Sequence, residues 1–304
     1  MRAEPPKIVR RDIDGVLLLD KPPGITSNAA LQKAKWLLRA NRAGHTGTLD
    51  PLASGLLPLC FGEATRFAQR RLDAPKAYLA TIRFGATTTT GDAEGSIVAT
   101  APVAFSRADL DVVLARFTGE QMQVPPMHSA LKVDGQPVYR LARAGAEVAR
   151  EPRRIVVHAL ACTGWRPPEA TVTVACSKGT YVRVLAEDIG RALGCGAHLA
   201  ALRRTATGGF RLDDAVSLEV LEAMDEAARV ACLRPPAVLL EGMPRVNVDA
   251  GQARRFLHGQ PVPAAGHRDG EHAVFSGERL LGLAAITAGV AQPTRVLPGR
   301  GVLA

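Results

Sequence analysis

The sequence predicts an α+β fold that ends in a small, mostly β unit. Three observations carry this. Tyr78, Ala80, Ile82 and Phe84 fall on one side of an alternating run, and Thr171 to Cys176 alternates likewise, as strands with one covered face do. Leu110, Val113, Leu114 and Phe117 recur at helical spacing, as do Val182, Leu185, Ala186, Ile189 and Leu193. Past Arg234-Pro235-Pro236 and Gly242-Met243-Pro244 the chain becomes short and turn-rich.

In chain order, Asp14-Gly15 reads as a turn feeding a buried strand, Val16 to Leu19. Asp20-Lys21-Pro22-Pro23-Gly24 ends that strand, and Thr26 or Ser27 caps a helix whose inner face holds Leu31, Ala34 and Leu38. On residue type alone Lys21 is a solvated turn residue. The helix runs out near Asn41-Arg42-Ala43, and a glycine-rich loop follows. Ser106 and Asp109 make a capping pattern for the next helix, which Gly119 is expected to close. From Gln123 to Arg154 the character changes: Pro125-Pro126 breaks regular structure, and Arg140, Arg143, Arg150, Arg153 and Arg154 gather around a short helical pattern. Ser177 to Thr180 then leads from a strand into a helix with Tyr181 and Arg183 in its first turn and Gly194 as its stop. A helix with Leu218 and Leu221 precedes the proline breaks. In the tail, Val246-Asn247-Val248, a short helix around Ala253 to Leu257, and two strands (Ala273 to Phe275, Leu280 to Ile286) joined by a Ser-Gly turn are expected. These breaks divide the chain into residues 1–240 and 241–304.

A chain of 304 residues with 47% hydrophobic content suits one large domain and a small one. The 38 Lys and Arg against 29 Asp and Glu give a formal charge of +9, which favours a polyanionic partner. Cys60, Cys162, Cys176, Cys195 and Cys232 are odd in number and scattered, without a Cys-x-x-Cys pair. That spacing argues against a zinc module and a disulfide scaffold and for a reducing compartment. The polar start lacks a signal-peptide core, and no run approaches membrane-spanning length, so a cytoplasmic protein without membrane association is expected.

The densest chemical signal is Gly44-His45-Thr46-Gly47-Thr48-Leu49-Asp50-Pro51-Leu52-Ala53-Ser54-Gly55-Leu56-Leu57. Pro51 biases Asp50 away from helix, which leaves the carboxylate on a loop; an Asx turn satisfies the same pattern. The whole stretch resembles the catalytic signature of the TruB family of pseudouridine synthases, in which this aspartate is the nucleophile. Lys178-Gly179-Thr180-Tyr181-Val182-Arg183 resembles the family's second signature, and His198-Leu199 with Ala201-Leu202-Arg203-Arg204-Thr205 its last. Lys21-Pro22-Pro23-Gly24 matches a motif that supports the site, to which a structural role is given.

The resemblance implies a mixed, largely antiparallel sheet flanked by helices, followed by a reduced PUA-like RNA-binding domain. It implies isomerisation of the T-loop uridine of tRNA, position 55, without cofactor or metal. The catalytic residues expected are Asp50, Arg183 and Tyr181. Those expected on the substrate are His45, filling the place the uridine vacates; Tyr78 and Tyr181, against the uracil; and Leu202, through its backbone. Residues 123–155 resemble the basic insertion that grips the tRNA T-stem-loop. A monomer with no obligate protein partner is expected. Asp50 must be ionised to attack, and the planar fork of Arg183 is expected to lower its pKa.

Two rivals remain at this stage. Asp12-Ile13-Asp14-Gly15 is similar to the opening of haloacid-dehalogenase-like phosphatases, but the buried strand follows the aspartates instead of preceding them, and Asp92 is no substitute for the later magnesium-binding acid. The other rival is an RNA-binding module on the same scaffold without turnover.

Overall fold

The structure, a computed structural model, describes residues 9–127 and 149–298, together with the backbone of 132–133 and 136–137. A large mixed sheet forms its centre. The order of the main strands is Val216–Ser217, Gly15–Lys21, Ser54–Phe61, Ala197–Thr207, Lys76–Phe84, Glu169–Cys176, Arg153–Arg166 and Gly119–Gln123. Gly15–Lys21 runs parallel to Val216–Ser217, and Ala197–Thr207 parallel to Ser54–Phe61; the other pairings along this path are antiparallel. The helices Ser27–Leu37, Arg107–Arg116 and Val182–Ala192 send Leu31, Leu110, Val113, Leu185 and Ile189 into the same core as Tyr78, Ala80, Ile82 and Phe84. This is the α+β class that the periodicities predict.

The strands Gly15–Lys21 and Ser54–Phe61 carry continuous apolar stretches, Val16 to Leu19 and Leu56 to Phe61, because both of their faces are covered. Leu17, Leu19, Leu57, Leu59 and Phe61 enter the main core. Val16, Leu18, Leu56 and Cys60 join a second cluster with Leu239, Leu240, Ala273, Phe275, Leu280 and Leu283. Those last four belong to a five-stranded C-terminal sheet ordered Arg245–Asn247, Gly270–Ser276, Arg279–Thr287, Val290–Val296 and Val262–Pro263. The helix Ala250–Leu257, capped reciprocally by Asp249 and Gln252, closes its own small core.

Of the two candidate caps, Thr26 caps the first helix. Two details differ from the expectation. The helix after Ser106 ends at Phe117, and Gly119 instead opens the edge strand, at φ +106°. Arg153 and Arg154 lie on a 14-residue strand, not around a helix. Bulges between Val157 and Ala159 and between Cys162 and Gly164 interrupt its period-two pattern, so the arginine spacing dominated the reading. Arg140 and Arg143 lie outside the described residues. Among the described residues no helix is long and apolar enough to cross a membrane, and no group of three or more His, Cys, Asp or Glu is placed to hold a metal ion.

Candidate active site

The loop bearing Asp50 joins Ala43–His45 to Ser54–Phe61 and is tied from three sides. Ser27 is buried; its Oγ accepts from the Leu49 N–H at 2.8 Å and donates to the Leu49 carbonyl at 3.0 Å. The Gly24 N–H donates to the Pro51 carbonyl at 2.8 Å. Lys21 is fully buried and donates to the carbonyls of Pro22 at 2.8 Å and Ile25 at 2.7 Å, which fixes the turn carrying Gly24. Burial pushes the Lys21 amine down to about 8, partly offset by the nearby Asp50 charge. Lys21 is therefore an internal tether, not a solvated turn residue.

The third side is Arg204, also buried. Its Nε donates to the Leu56 carbonyl at 2.7 Å and its Nη2 to the Gly47 carbonyl at 3.2 Å, and its charge acts on the Tyr78 phenol beside it. Gly55 makes the approach possible. It sits at φ +98°, and a Cβ there would lie 2.4 Å from the Arg204 carbonyl oxygen. Tyr78 faces Arg204 across the ladder, its ring in the main core, and burial pushes its phenol pKa up.

Arg183 reaches the loop from the opposite direction. The strand Glu169–Cys176 ends, the chain bends through Gly179 at φ +77°, and Tyr181 takes the N-cap position of the helix Val182–Ala192. Arg183 Nη2 lies 3.0 Å from Asp50 Oδ2. Nη1 lies 3.4 Å from Asp92 Oδ2 and donates to the Thr90 carbonyl at 3.2 Å. The Arg183 side chain is 6% exposed and that of Asp92 4%, whereas that of Asp50 is 42% exposed. A buried cation thus presents an accessible anion. Asp92 is itself fixed: its Oδ1 accepts from Thr90 Oγ1 at 2.5 Å and from the Glu94 N–H at 3.1 Å.

Charge sharing reverses one expectation. Loss of hydration pushes the Asp50 pKa up, Arg183 pulls it down, and the Asp92 charge pushes it up again; the net direction is upward. The attraction to Arg183 is present as expected but does not win, because the same guanidinium also serves Asp92 and because protein atoms displace water from the carboxylate despite its open side.

His45 ends the short strand before the loop and is half-buried, with Nδ1 making no hydrogen bond. Burial, then the Arg204 charge, lowers its pKa below the usual 6.5, so the ring is neutral at pH 7. Leu202 is partly buried against the main core and pairs with Ala80 in the ladder. Arg150 donates to the Pro125 carbonyl at 2.8 Å, while Arg153 and Arg154 are exposed and Arg154 pairs with Glu120. Asp12, the rival nucleophile, is exposed on the surface, where it accepts from the Asn41 amide at 2.9 Å.

Asp92 escaped the sequence reading except as a magnesium ligand set aside. It stands in a polar turn, Thr89 to Gly95, with no periodicity, and its partner is 91 residues away in the chain. Arg204 was visible only as part of a motif. A buried arginine without a carboxylate partner has no signature in local pattern.

Comparison with known proteins matches this architecture. Residues 35–182 match the model of the TruB family pseudouridylate synthase N-terminal domain, residues 183–240 that of the tRNA pseudouridylate synthase B C-terminal domain, and residues 244–297 that of the pseudouridine synthase II TruB C-terminal region. The chain is 55% identical over 298 residues to tRNA pseudouridine synthase B of Burkholderia lata, covering 96% of this chain and 92% of the relative. It is 57% identical over 257 residues to the protein of that name from Chromobacterium violaceum, covering 84% of each. Among solved structures, one described as a Cbf5-Nop10-Gar1 complex aligns with a TM-score of 0.70 at 27% identity, over 93% of this chain and 85% of that one. With family models along most of its length and relatives more than half identical, the chain belongs to the TruB family of pseudouridylate synthases.

Proposed function

We propose that this protein isomerises a uridine of tRNA to pseudouridine, with the T-loop uridine at position 55 as its target and Asp50 as its nucleophile. One observation carries the reading: the Asp50 carboxylate, open to solvent, is held at 3.0 Å by a guanidinium that is itself buried and braced by Asp92 and Thr90. The names of the curated relatives support tRNA as the substrate. The formal charge of +9 suits a polyanion.

In this reading the N1–C1′ bond of the uridine breaks, the uracil turns, and a C5–C1′ bond forms. C5 loses a proton and N1 gains one, so the product is an isomer and no donor or oxidant is consumed. Asp50 adds as the anion to C1′ of the ribose or to C6 of the base, and that bond breaks again on the way to the C5–C1′ product, which returns the free carboxylate; Arg183 holds it in line. Tyr78, paired with Arg204 across the ladder, and Tyr181, at the start of the helix that carries Arg183, bracket the base. In this reading Tyr181 also moves the C5 proton. Leu202 offers its backbone to the uracil edge. A base within a folded loop must leave its stack, at a cost of about a few kcal/mol. His45 offsets part of this by filling the gap, and a neutral ring enters a stack without desolvating a charge. The basic segment 123–155 grips the T-stem-loop.

The test is incubation with an unmodified tRNA transcript and mapping of pseudouridine. Product at position 55 is expected from the native chain and none from Asp50→Asn, with tRNA binding retained. Turnover by Asp50→Asn would remove the nucleophile, and no product from the native chain would overturn the whole reading.

A further inference from the structure

We propose that Gln123 is a positioning residue for the isomerisation, holding Tyr181 and the start of the Val182–Ala192 helix in register with Asp50. The inference rests on the function proposed above and gives a role of its own to Gln123, which so far stands only as the first residue of the 123–155 segment.

The geometry is that of a side chain imitating a peptide group. The Tyr181 N–H donates to Gln123 Oε1 at 2.8 Å, and Gln123 Nε2 donates to the Tyr181 carbonyl at 3.1 Å. One carboxamide therefore engages both backbone polar groups of a single residue 58 positions away. Gln123 is 4% exposed, where two good hydrogen bonds keep most of their strength and an error in position is costly. Tyr181 is the N-cap of the helix but provides no side-chain cap, so the end of that helix is held by a group from outside it. Two residues on, the same helix carries Arg183. The carboxamide thus constrains both side chains proposed to act on the uracil and on the nucleophile.

Gln123 is also the last residue of the edge strand Gly119–Gln123, where the chain enters the basic segment. It lines a cavity of about 490 Å³ together with Thr90, Arg150, Glu187, Asp188 and Arg191. Thr90 is the residue whose carbonyl holds Arg183. The neck of the RNA-gripping segment and the supports of the two catalytic side chains thus share one cavity. A residue there sets geometry without touching substrate, and a displacement of about 1 Å at a reacting centre costs on the order of 100-fold in rate.

Single-turnover kinetics on the tRNA transcript test this, with the native protein as reference. Gln123→Ala is expected to lower kcat by about 10- to 100-fold while the tRNA dissociation constant holds. Gln123→Glu discriminates further. A protonated glutamic acid can both donate to the Tyr181 carbonyl and accept from its N–H, whereas the ionised form can only accept. Glu187 and Asp188 face the same cavity and favour the protonated form; Arg150 and Arg191, and Arg183 on the adjoining helix, oppose it. The ratio of Gln123→Glu to native kcat is therefore expected to rise as pH falls, while that of Gln123→Ala stays flat. A native single-turnover rate in Gln123→Ala, a Gln123→Glu to native ratio that does not change with pH, or a loss confined to tRNA affinity, overturns the proposal. If Gln123→Ala does not fold, the pH response of Gln123→Glu decides alone. An inactive native protein would refute the proposed function instead, so the two failures are distinguishable.

Discussion

The Asp50 loop and the arginines of the 123–155 segment use positive charge in opposite ways. Around the loop, Lys21, Arg183 and Arg204 are all buried, and each is spent on named partners: carbonyls of Pro22, Ile25, Thr90, Leu56 and Gly47, and carboxylates of Asp50 and Asp92. Burying a cation is costly, and only this saturation makes it tolerable. In the basic segment, Arg153 and Arg154 stand in solvent, where an ion pair such as that with Glu120 is worth little and is screened by salt. Buried cations fix positions; exposed ones supply salt-dependent attraction. The contrast gives each group a different measurable failure.

The largest effect belongs to Asp50, the proposed nucleophile. Asp50→Asn should abolish turnover and, at neutral pH, leave a fold at least as resistant to heat as the native one. The sign follows from its raised pKa: the native state binds the Asp50 proton more tightly than the unfolded chain does, so ionisation opposes folding as pH rises through the folded value. A melting curve at pH 7 that falls well below the native one would contradict this. Next, Arg183→Lys should cut the single-turnover rate far more than tRNA affinity, because an ammonium cannot span Asp50, Asp92 and the Thr90 carbonyl at once. An unchanged rate would remove Arg183 from the machinery.

Arg204→Met strips several acceptors of a buried partner and should destabilise the fold by about 3 kcal/mol, read from urea unfolding. Loss of activity without loss of stability would mean that Arg204 acts on substrate directly. Charge reversal at Arg150, Arg153 and Arg154 should weaken tRNA binding and flatten its dependence on salt, with the rate at saturation kept. If titrations at two salt concentrations superimpose on the native ones, these arginines are only a solvated surface. The smallest effect is the sharpest. Asp92→Asn removes a like charge from beside Asp50, so the acid limb of the pH–rate profile should move to lower pH. A limb that stays or rises would show that Asp92 governs the site only through Arg183.

What was legible in the sequence follows distance along the chain. The strand Lys76–Phe84, the capping box of Ser106 and Asp109 and the helix beginning after Tyr181 were readable because their patterns repeat within a few residues. Asp50 and Arg183 were readable because their motifs carry the local turn and helix start with them. Their contact was a chemical expectation, and the structure places the two groups together. Asp92, Gln123 and the bonding of Arg204 were not readable, since each acts on a partner from 58 to 157 residues away through a group whose own neighbourhood is unpatterned. Lys21 was half legible. Its motif marked a support, but nothing in a Lys-Pro-Pro-Gly turn announces a fully buried amine.

The doubly covered strands have a practical corollary. Val16, Leu18, Leu56 and Cys60 share a cluster with Ala273, Phe275, Leu280 and Leu283, so the terminal sheet is a buttress and no detachable appendage. Truncating the protein ahead of residue 241 would strip this greasy back wall from the very strand that follows the Asp50 loop. Aggregation and loss of the proposed catalysis would then arrive together.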